Sequence, residues 1–305
     1  MELKIVEFIQ SFSSPFLDGL FGLLTRFGEG FFFCAVFLIL YWCFSYNYAF
    51  KFATFYVASV CVNGIVKLIV NRPRPWMDSS AIENKMPATG LSFPSGHSQS
   101  VATISTFITY DVYKNKNSKN WIKITTLVTL VLLCLTVGFS RIYLGQHYLT
   151  DVIVGLMLGV SLIFLFNYLY NKLVPKIKKS INLEMVLAAL STLMLACVVI
   201  VGFFELGLSY SDKLSIFKYT AIVVGLTVGF VLSNRFIVSI KETAFQKVIK
   251  AIIGLIVVFG IYALLCLIPQ INHFIVAVCV LLTTLIATFV YPMVFNLVLS
   301  KIKKD

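Results

Sequence analysis

The chain has 305 residues, of which 59% are hydrophobic and only 12% are charged, whereas soluble domains carry roughly one-quarter charged residues. This composition excludes an ordinary soluble globular protein and predicts a protein embedded in a membrane. The formal net charge of +12 does not indicate nucleic-acid binding, because the basic residues form short clusters between apolar runs and no one-faced basic stripe.

The first 29 residues are less uniformly apolar than the rest of the chain. In "VEFIQSFSSPFLDGLFGLLTRF" the apolar positions are interrupted by Ser, Pro, Asp and Gly. This pattern predicts an interfacial amphipathic helix or a short membrane helix, and we favour the interfacial one. The segment also lacks the basic start and apolar core of a cleavable signal peptide.

Nine apolar stretches follow, each close to the length of about 17–25 residues that a helix needs to cross a bilayer. They lie at residues 30–46, 49–70, 97–113, 121–140, 149–170, 183–204, 216–236, 247–268 and 274–298. The sequence therefore predicts an all-α, polytopic membrane helical bundle.

Lysines and arginines are concentrated in alternate loops, which the positive-inside rule places on the cytoplasmic side. The basic set consists of Lys51 and the clusters at 114–123, 172–179, 235–250 and 301–304. The other set, which includes the loop 71–96 and the turn 140–148, holds fewer basic residues. We therefore predict a multi-pass protein of the cell membrane with a cytoplasmic C-terminus and with these two connections on the opposite side.

Three polar stretches are predicted on that non-cytoplasmic face: "KLIVNRPRP", "FPSGHSQS" and "SRIYLGQHYLTD". They would bring to one level Lys67, Arg72, Arg74, Ser95, Gly96, His97, Arg141, His147 and Asp151. Guanidinium and ammonium groups complement the charge of a phosphate, and arginine offers paired donors. Ser95 at the start of a helix would leave free backbone N–H groups beyond it, which also favour an anion. The pattern predicts a phosphate site.

The two histidines of these stretches differ in their local partners. His147 and Asp151 are four residues apart and share a face if a helix begins near Gly145, so the carboxylate can orient the imidazole as a nucleophile. His97 has no carboxylate nearby in the sequence and is the candidate proton donor for the leaving oxygen. Carboxylates on this face are few and unpaired, so we expect no metal and no cofactor.

Taken together, the stretches resemble the three-part signature of the type 2 phosphatidic acid phosphatase superfamily. The match consists of Lys67 with Arg74-Pro75, then Pro94-Ser95-Gly96-His97, then Ser140-Arg141 with His147 and Asp151, in order and with every specified position present. The resemblance covers about residues 50 to 170. Each motif alone is weak, and the specificity lies in their combination.

The resemblance implies a role for each matched residue. Lys67, Arg74, Ser95, Gly96 and Arg141 would hold the phosphate. His147 would form a phosphohistidine, His97 would protonate the leaving group, and Asp151 would orient His147, without a metal ion. Three residues outside the signature are weaker candidates for substrate contacts: Arg72, Trp76 and Tyr143.

We accordingly expect three regions: residues 1–29 as the N-terminal interfacial or short membrane helix, 30–180 as a six-helix-type phosphatase core, and 181–305 as an extension of about four transmembrane helices. The expected function is hydrolysis of a phosphomonoester or pyrophosphate on a membrane lipid, such as undecaprenyl pyrophosphate or phosphatidylglycerophosphate. The alternative is a lipid-phosphate transporter or receptor that uses the same pocket without hydrolysis. The extension could also form a homodimer interface.

Overall fold

The computed structural model describes residues 1–88, 90–180, 210–238, 240–266 and 272–302. All regular elements within these ranges are helical, which confirms the all-α prediction. The α-helices are α1 (Glu2–Gln10), α2 (Pro15–Leu24), α3 (Gly30–Cys43), α4 (Tyr46–Val70), α5 (Pro75–Asp78), α6 (Gly96–Lys114), α7 (Asn120–Tyr143), α8 (Leu149–Ser180), α9 (Tyr210–Phe236), α10 (Ala244–Cys266), α11 (His273–Leu285) and α12 (Tyr291–Ile302), and a 3-10 helix, Thr25–Gly28, follows α2.

Six helical segments in the described ranges are long and apolar enough to cross a membrane. They are Tyr46–Asp78, Asn120–Tyr143, Leu149–Lys176, Phe217–Phe236, Ala244–Leu265 and Phe274–Ile302. Pro15–Gly28 and Gly30–Cys43 together form a further candidate that bends by 50° between its halves. These segments confirm a polytopic membrane protein, while the predicted span at 183–204 lies outside the described residues.

The predicted third span, 97–113, is helical as α6 but is not among the six apolar segments. Its buried face combines apolar side chains with polar ones, among them Gln99 and Thr103. Gln99 accepts a hydrogen bond from Asn63 Nδ2 of α4 at 2.7 Å, and the hydroxyls of Ser59 and Thr103 lie 2.9 Å apart. Such interhelical hydrogen bonds satisfy polar groups that the hydrocarbon of a bilayer could not. The helix is therefore stabilised by its neighbours in the protein.

The chain forms two compact units, and the first contains all three sequence motifs. It comprises Met1–Val36 and Lys51–Lys172. Glycines let α8 approach α6 closely here: a Cβ on Gly155 would lie 2.6 Å from the carbonyl oxygen of Ser95, and one on Gly159 would lie 2.6 Å from that of Gln99. Because real Cβ atoms do not come so near, any larger residue at these positions would separate the two helices.

The second unit comprises Phe37–Phe50 and Leu173–Asp305. Between α11 and α12 the backbone makes a π-helical turn, Ile286–Val290, whose carbonyl groups find donors on neighbouring helices. Trp42 Nε1 donates to the carbonyl of Ala287 at 2.8 Å, and Ser233 Oγ donates to that of Thr288 at 2.6 Å. π turns leave carbonyl groups without their usual helical partners, and these side chains replace them. The division into residues 1–29, 30–180 and 181–305 stays a prediction.

Candidate active site

The turn between α7 and α8, residues 144–148, carries His147 into the interior of the first unit. Gly145 makes the turn possible because its φ of +73° lies in the left-handed region and a Cβ there would lie 2.9 Å from Gln10 Nε2. The backbone N–H groups of Gln146 and His147 then donate to the carbonyl of Arg141 at 3.0 and 3.2 Å. The last turn of α7 and His147 are thereby held together.

His147 and Asp151 form a buried pair. Nδ1 of His147 lies 3.4 Å from Oδ2 of Asp151, and the exposed fractions of the two side chains are 2% and 0%. The start of α8 at Leu149 places Asp151 in its first turn, so the carboxylate faces back toward the turn that carries the histidine. With Nδ1 directed at Asp151, Nε2 is the ring nitrogen available to a substrate.

Asp151 accepts further hydrogen bonds at both oxygens. Oδ2 also accepts from the backbone N–H of Tyr148 at 2.9 Å and from the hydroxyl of Ser92 in a short hydrogen bond. Oδ1 accepts from Arg72 Nη1 at 3.0 Å. A buried carboxylate needs such donors to remain ionised. The network keeps Asp151 in a single orientation toward His147.

The environment of His147 favours the neutral imidazole. The pKa of His147 is lowered to about 3, chiefly by burial. The hydrogen bond to Asp151 raises this pKa, and the charges of Arg141 and Arg74 lower it further. The imidazole is therefore uncharged at neutral pH, and a lone pair on Nε2 is available for attack at phosphorus. The same two arginines supply positive charge beside it.

The three cationic side chains of the motifs are hydrogen-bonded to neutral oxygens. Lys67 Nζ donates to the carbonyl of Leu91 at 2.7 Å. Arg74 Nε donates to the carbonyl of Gly90 at 3.0 Å, and its Nη1 donates to that of Gln146 at 3.1 Å. These acceptors orient the cations without cancelling their charge, which leaves a positive potential for an anion.

Arg141 is buried, with 3% of its surface exposed. Its Nη1 donates to Thr25 Oγ1 at 3.0 Å, and its buried Nε has no hydrogen-bond partner. A guanidinium donor left unpaired in a protein interior is costly unless a ligand accepts from it. Nε of Arg141 is therefore a donor suited to a phosphate oxygen.

The Pro94-Ser95-Gly96-His97 motif starts α6 as expected from the sequence. Ser95 is the N-cap, and its Oγ accepts from the backbone N–H of Ser98 at 3.3 Å. The helix N-terminus carries a partial positive charge and points free N–H groups outward. Gly28 lies against His97, because a Cβ on Gly28 would lie only 2.7 Å from His97 Cβ.

The three weaker candidates for substrate contacts are placed differently. Arg72 makes an ion pair with Asp151 and a second one with Glu2, whose Oε2 lies 2.6 Å from Nη2. Tyr143 donates its hydroxyl hydrogen to Asp18 Oδ1 at 2.6 Å and so faces the N-terminal residues. Trp76 packs on an apolar cluster, and its buried Nε1 has no hydrogen-bond partner. Contact of these residues with a substrate stays a prediction.

Four residues of this site escaped the sequence analysis: Glu2, Thr25, Ser92 and Gln146. Ser92 lies three residues before the N-cap serine, and Gln146 lies next to His147, so their closeness to the motifs was a usable signal. Glu2 and Thr25 carry no such signal, because their partners lie more than 60 residues away. Within the described part of the chain, no group of three or more His, Cys, Asp and Glu residues could hold a metal ion.

Chemically, the arrangement suits an oxyanion with several negative oxygens. A neutral imidazole oriented by a carboxylate lies beside two guanidinium groups, a lysine and a helix N-terminus. These groups are able to bind a phosphoryl group and attack it at phosphorus.

Two family models match the chain. Residues 48–175 match the PAP2 superfamily, and residues 217–303 match the family described as PAP2 superfamily phosphatase, transmembrane extension. The first range contains all three motifs, and the second contains most of the described C-terminal helices.

Two curated relatives are each 34% identical to the chain. Phosphatidylglycerophosphatase B of Bacillus subtilis aligns over 104 residues, which are 34% of this chain and 49% of that protein. Dolichyldiphosphatase of Saccharomyces cerevisiae aligns over 98 residues, which are 32% of this chain and 41% of that protein. The chain thus spans about half, or less, of the length of the curated relatives it matches.

Among solved structures, the chain is similar to the crystal structure of a transmembrane PAP2-type phosphatidylglycerolphosphate phosphatase from Bacillus subtilis. The TM-score is 0.48 at 24% sequence identity, and the superposition covers 55% of this chain and 86% of that one. The resemblance of the three motifs to the type 2 phosphatidic acid phosphatases, abbreviated PAP2, is confirmed by the family matches: residues 48–175 are a PAP2 superfamily domain, and residues 217–303 match its transmembrane extension.

Proposed function

We propose that the protein is an integral-membrane lipid phosphatase that hydrolyses a phosphomonoester or pyrophosphate through a phosphohistidine on His147. The observation that carries the proposal is the buried His147–Asp151 pair beside cations that donate to neutral carbonyl oxygens. A site that only binds phosphate needs the cations but has no use for an oriented neutral imidazole.

In the first step, Nε2 of His147 attacks phosphorus in line with the leaving oxygen. The bond from phosphorus to the lipid oxygen breaks, and a protonated His97 gives its proton to that oxygen. Burial and the charges of Arg141 and His147 lower the pKa of His97 to about 2, so its protonation in this step depends on the negative charge of the bound substrate. Asp151 accepts the hydrogen bond from Nδ1 and stabilises the positive charge that develops on the ring. Lys67, Arg74 and Arg141, with the N–H groups after Ser95, bind the equatorial oxygens, whose charge they complement.

In the second step, water replaces the histidine. His97, now neutral, takes a proton from a water molecule, whose oxygen attacks phosphorus. The bond between phosphorus and Nε2 breaks, the electron pair returns to His147, and inorganic phosphate leaves. No step in this sequence requires a metal ion.

For the substrate we propose a lipid phosphate or a polyprenyl pyrophosphate. The names of the relatives support this class: one is a phosphatidylglycerophosphatase and the other a dolichyldiphosphatase. The six apolar segments support a substrate that stays in the bilayer while its phosphate reaches the site.

We also propose that the site opens on the non-cytoplasmic side and that the C-terminus is cytoplasmic, because the basic loop clusters lie in the alternate connections. Ala81→Cys in a cysteine-free background tests this placement, since Ala81 is exposed in the loop before α6. An impermeant maleimide added to intact cells should label Ala81→Cys and leave Lys116→Cys unlabelled. The reverse pattern would overturn the placement.

Hydrolysis is tested by measuring phosphate release from a panel of lipid phosphates and pyrophosphates in excess EDTA. We expect wild-type release and a loss of more than about 1,000-fold in His147→Ala, because the nucleophile is gone. His273→Ala is the matched control, since His273 begins α11 in the second unit. An alkaline quench with radiolabelled substrate should trap a phosphorylated wild-type protein and none in His147→Ala.

The transporter or receptor alternative makes the opposite prediction. It requires saturable binding of lipid phosphate with no release of phosphate by the wild-type protein. Equal release by the wild type and His147→Ala would instead exclude the phosphohistidine.

A further inference from the structure

We propose that Glu2 and Thr25 of the N-terminal segment, residues 1–28, are positioning residues of the active site although they precede the PAP2 domain at 48–175. Glu2, acting through Arg72, holds the carboxylate of Asp151, and Thr25 holds the guanidinium of Arg141. This inference rests on the proposed function, in that it assigns further residues to the same site.

The N-terminal segment packs on the elements that carry the motifs. Val6 of α1 is fully buried in an apolar cluster with Ile82, Ile142 and Val152, which belong to the loop after α5, to α7 and to α8. Gln10 Nε2 donates to the carbonyls of Glu83 and Tyr143, each at 3.0 Å. Burial of these side chains and hydrogen bonds to the backbone fix α1 against the site.

Glu2 is joined to Asp151 through one guanidinium group. Arg72 donates from Nη1 to Asp151 Oδ1 at 3.0 Å and from Nη2 to Glu2 Oε2 at 2.6 Å. Its guanidinium carbon also lies 3.6 Å from the centre of the Tyr148 ring, which restricts its orientation. Arg72 is therefore a positioning residue that binds two carboxylates, that of Asp151 and that of Glu2 in α1.

The other oxygen of Glu2 binds the start of α8. Oε1 accepts from the backbone N–H of Thr150 at 3.1 Å and from its hydroxyl at 2.6 Å. Although partial burial opposes ionisation, the hydrogen bonds from Thr150 and Arg72 lower the pKa of Glu2. Glu2 thus satisfies a free N–H group in the first helical turn, where Asp151 also lies. Both contacts act on the position of the same carboxylate.

Thr25 acts on the phosphate side of the site. It is completely buried, and its Oγ1 accepts from Arg141 Nη1 at 3.0 Å. A carboxylate here would neutralise the arginine, whereas a hydroxyl holds it in place and leaves its charge for the substrate. Arg141 Nε, the unpaired donor, then keeps a defined direction.

The two contacts predict different kinetic effects. Thr25→Val has nearly the same shape but no hydroxyl, so Arg141 loses its acceptor, and we expect KM to rise about 10- to 100-fold with little change in kcat. Thr25→Ser keeps the hydroxyl and should restore the wild-type KM. Glu2→Gln should lower kcat about tenfold at an unchanged KM, because it weakens the orientation of the His147–Asp151 pair and does not affect the binding of phosphate.

Glu7→Gln is the matched control, because it makes the same change on the same helix but Glu7 accepts from Ser79 and does not touch Arg72. All variants carry a C-terminal affinity tag so that Glu2 keeps its surroundings. A purely structural role for the segment would lower the melting temperature of Thr25→Val and Glu2→Gln while leaving KM and kcat of the folded protein unchanged, and that result would overturn the inference.

Binding of orthovanadate, measured by calorimetry, separates this inference from the proposed function. Thr25→Val should weaken vanadate binding about 10-fold or more, while Thr25→Ser and Glu7→Gln should not. If Thr25→Val weakens vanadate binding but the wild-type protein releases no phosphate, the role of Thr25 is supported and the hydrolase is rejected. Equal vanadate affinity in Thr25→Val and the wild type, with an active wild type, would reject the inference alone.

Discussion

The motif cations of the first unit and Lys250 of the second unit have different hydrogen-bond partners. In the first unit, Lys67, Arg74 and Arg141 donate to carbonyl and hydroxyl oxygens, which carry no charge. In the second, Lys250 is paired with the carboxylate of Glu242 at 2.8 Å and also donates to Asn296 Oδ1 at 3.2 Å. A cation with a carboxylate partner is a structural group, whereas cations with neutral partners keep a net charge for a ligand.

The difference teaches that burial of charge alone does not identify a functional site in a membrane protein. Lys250 is as buried as Arg141, with exposed fractions of 2% and 3%. What separates them is the charge of the acceptor. In the proposed function an anionic substrate balances the positive charge in the first unit, whereas Lys250 already has a carboxylate partner.

The largest effect that tests this comparison is expected from Arg141→Gln. Removing a cation that faces the transferred phosphate should lower kcat/KM at least about 100-fold. The melting temperature should stay the same or rise, because an incompletely compensated buried charge is removed. Phosphate release and thermal unfolding in detergent measure the two quantities. A strongly destabilised Arg141→Gln would show that Arg141 is structural and would break the comparison.

A smaller effect is expected from Glu242→Gln, which should lower stability and leave activity unchanged. It leaves Lys250 buried without its carboxylate, so the free energy of unfolding should fall by about 3 kcal/mol. Activity of the folded protein should not change, because Glu242 belongs to the second unit. The double variant Glu242→Gln/Lys250→Met should recover much of the lost stability, since no unpaired charge remains. Thermal unfolding, with phosphate release as the control, decides the outcome.

The smallest expected effect concerns the pH dependence of kcat/KM. Burial, together with Arg141 and Arg74, lowers the pKa of His147 to about 3. The neutral form, which is the nucleophile, therefore persists well below pH 6.5, and the acid limb of wild-type kcat/KM should lie below that value.

The variant Arg141→Gln removes one of the charges that lower this pKa. The pKa of His147 should therefore rise, and the acid limb should move to higher pH. Both proteins are assayed with the same substrate, so that ionisation of the substrate phosphate cancels in the difference. A shift toward lower pH would contradict the electrostatic role of Arg141.

Much of the fold could be predicted because the signals are local. Runs of apolar residues predicted helices that the structure contains, and the sequence correctly started α6 at the Pro94-Ser95-Gly96-His97 motif. The polar contacts of α6 could not be predicted, because whether Gln99 and Thr103 face lipid or a neighbouring helix depends on which helix packs there. Hydropathy alone therefore treated α6 as an ordinary span.

The sequence by itself determined that this is a helical membrane protein with a PAP2 superfamily domain, and which residue types could carry phosphate chemistry. Hydropathy and motif spacing are properties of short segments, so they need no tertiary structure. Only the tertiary structure decided which partners the residues of the site contact. Glu2 contacts Thr150, 148 residues away, and Thr25 contacts Arg141, 116 residues away. Such contacts depend on how helices pack, and packing decides whether a buried cation is neutralised or left to bind a substrate.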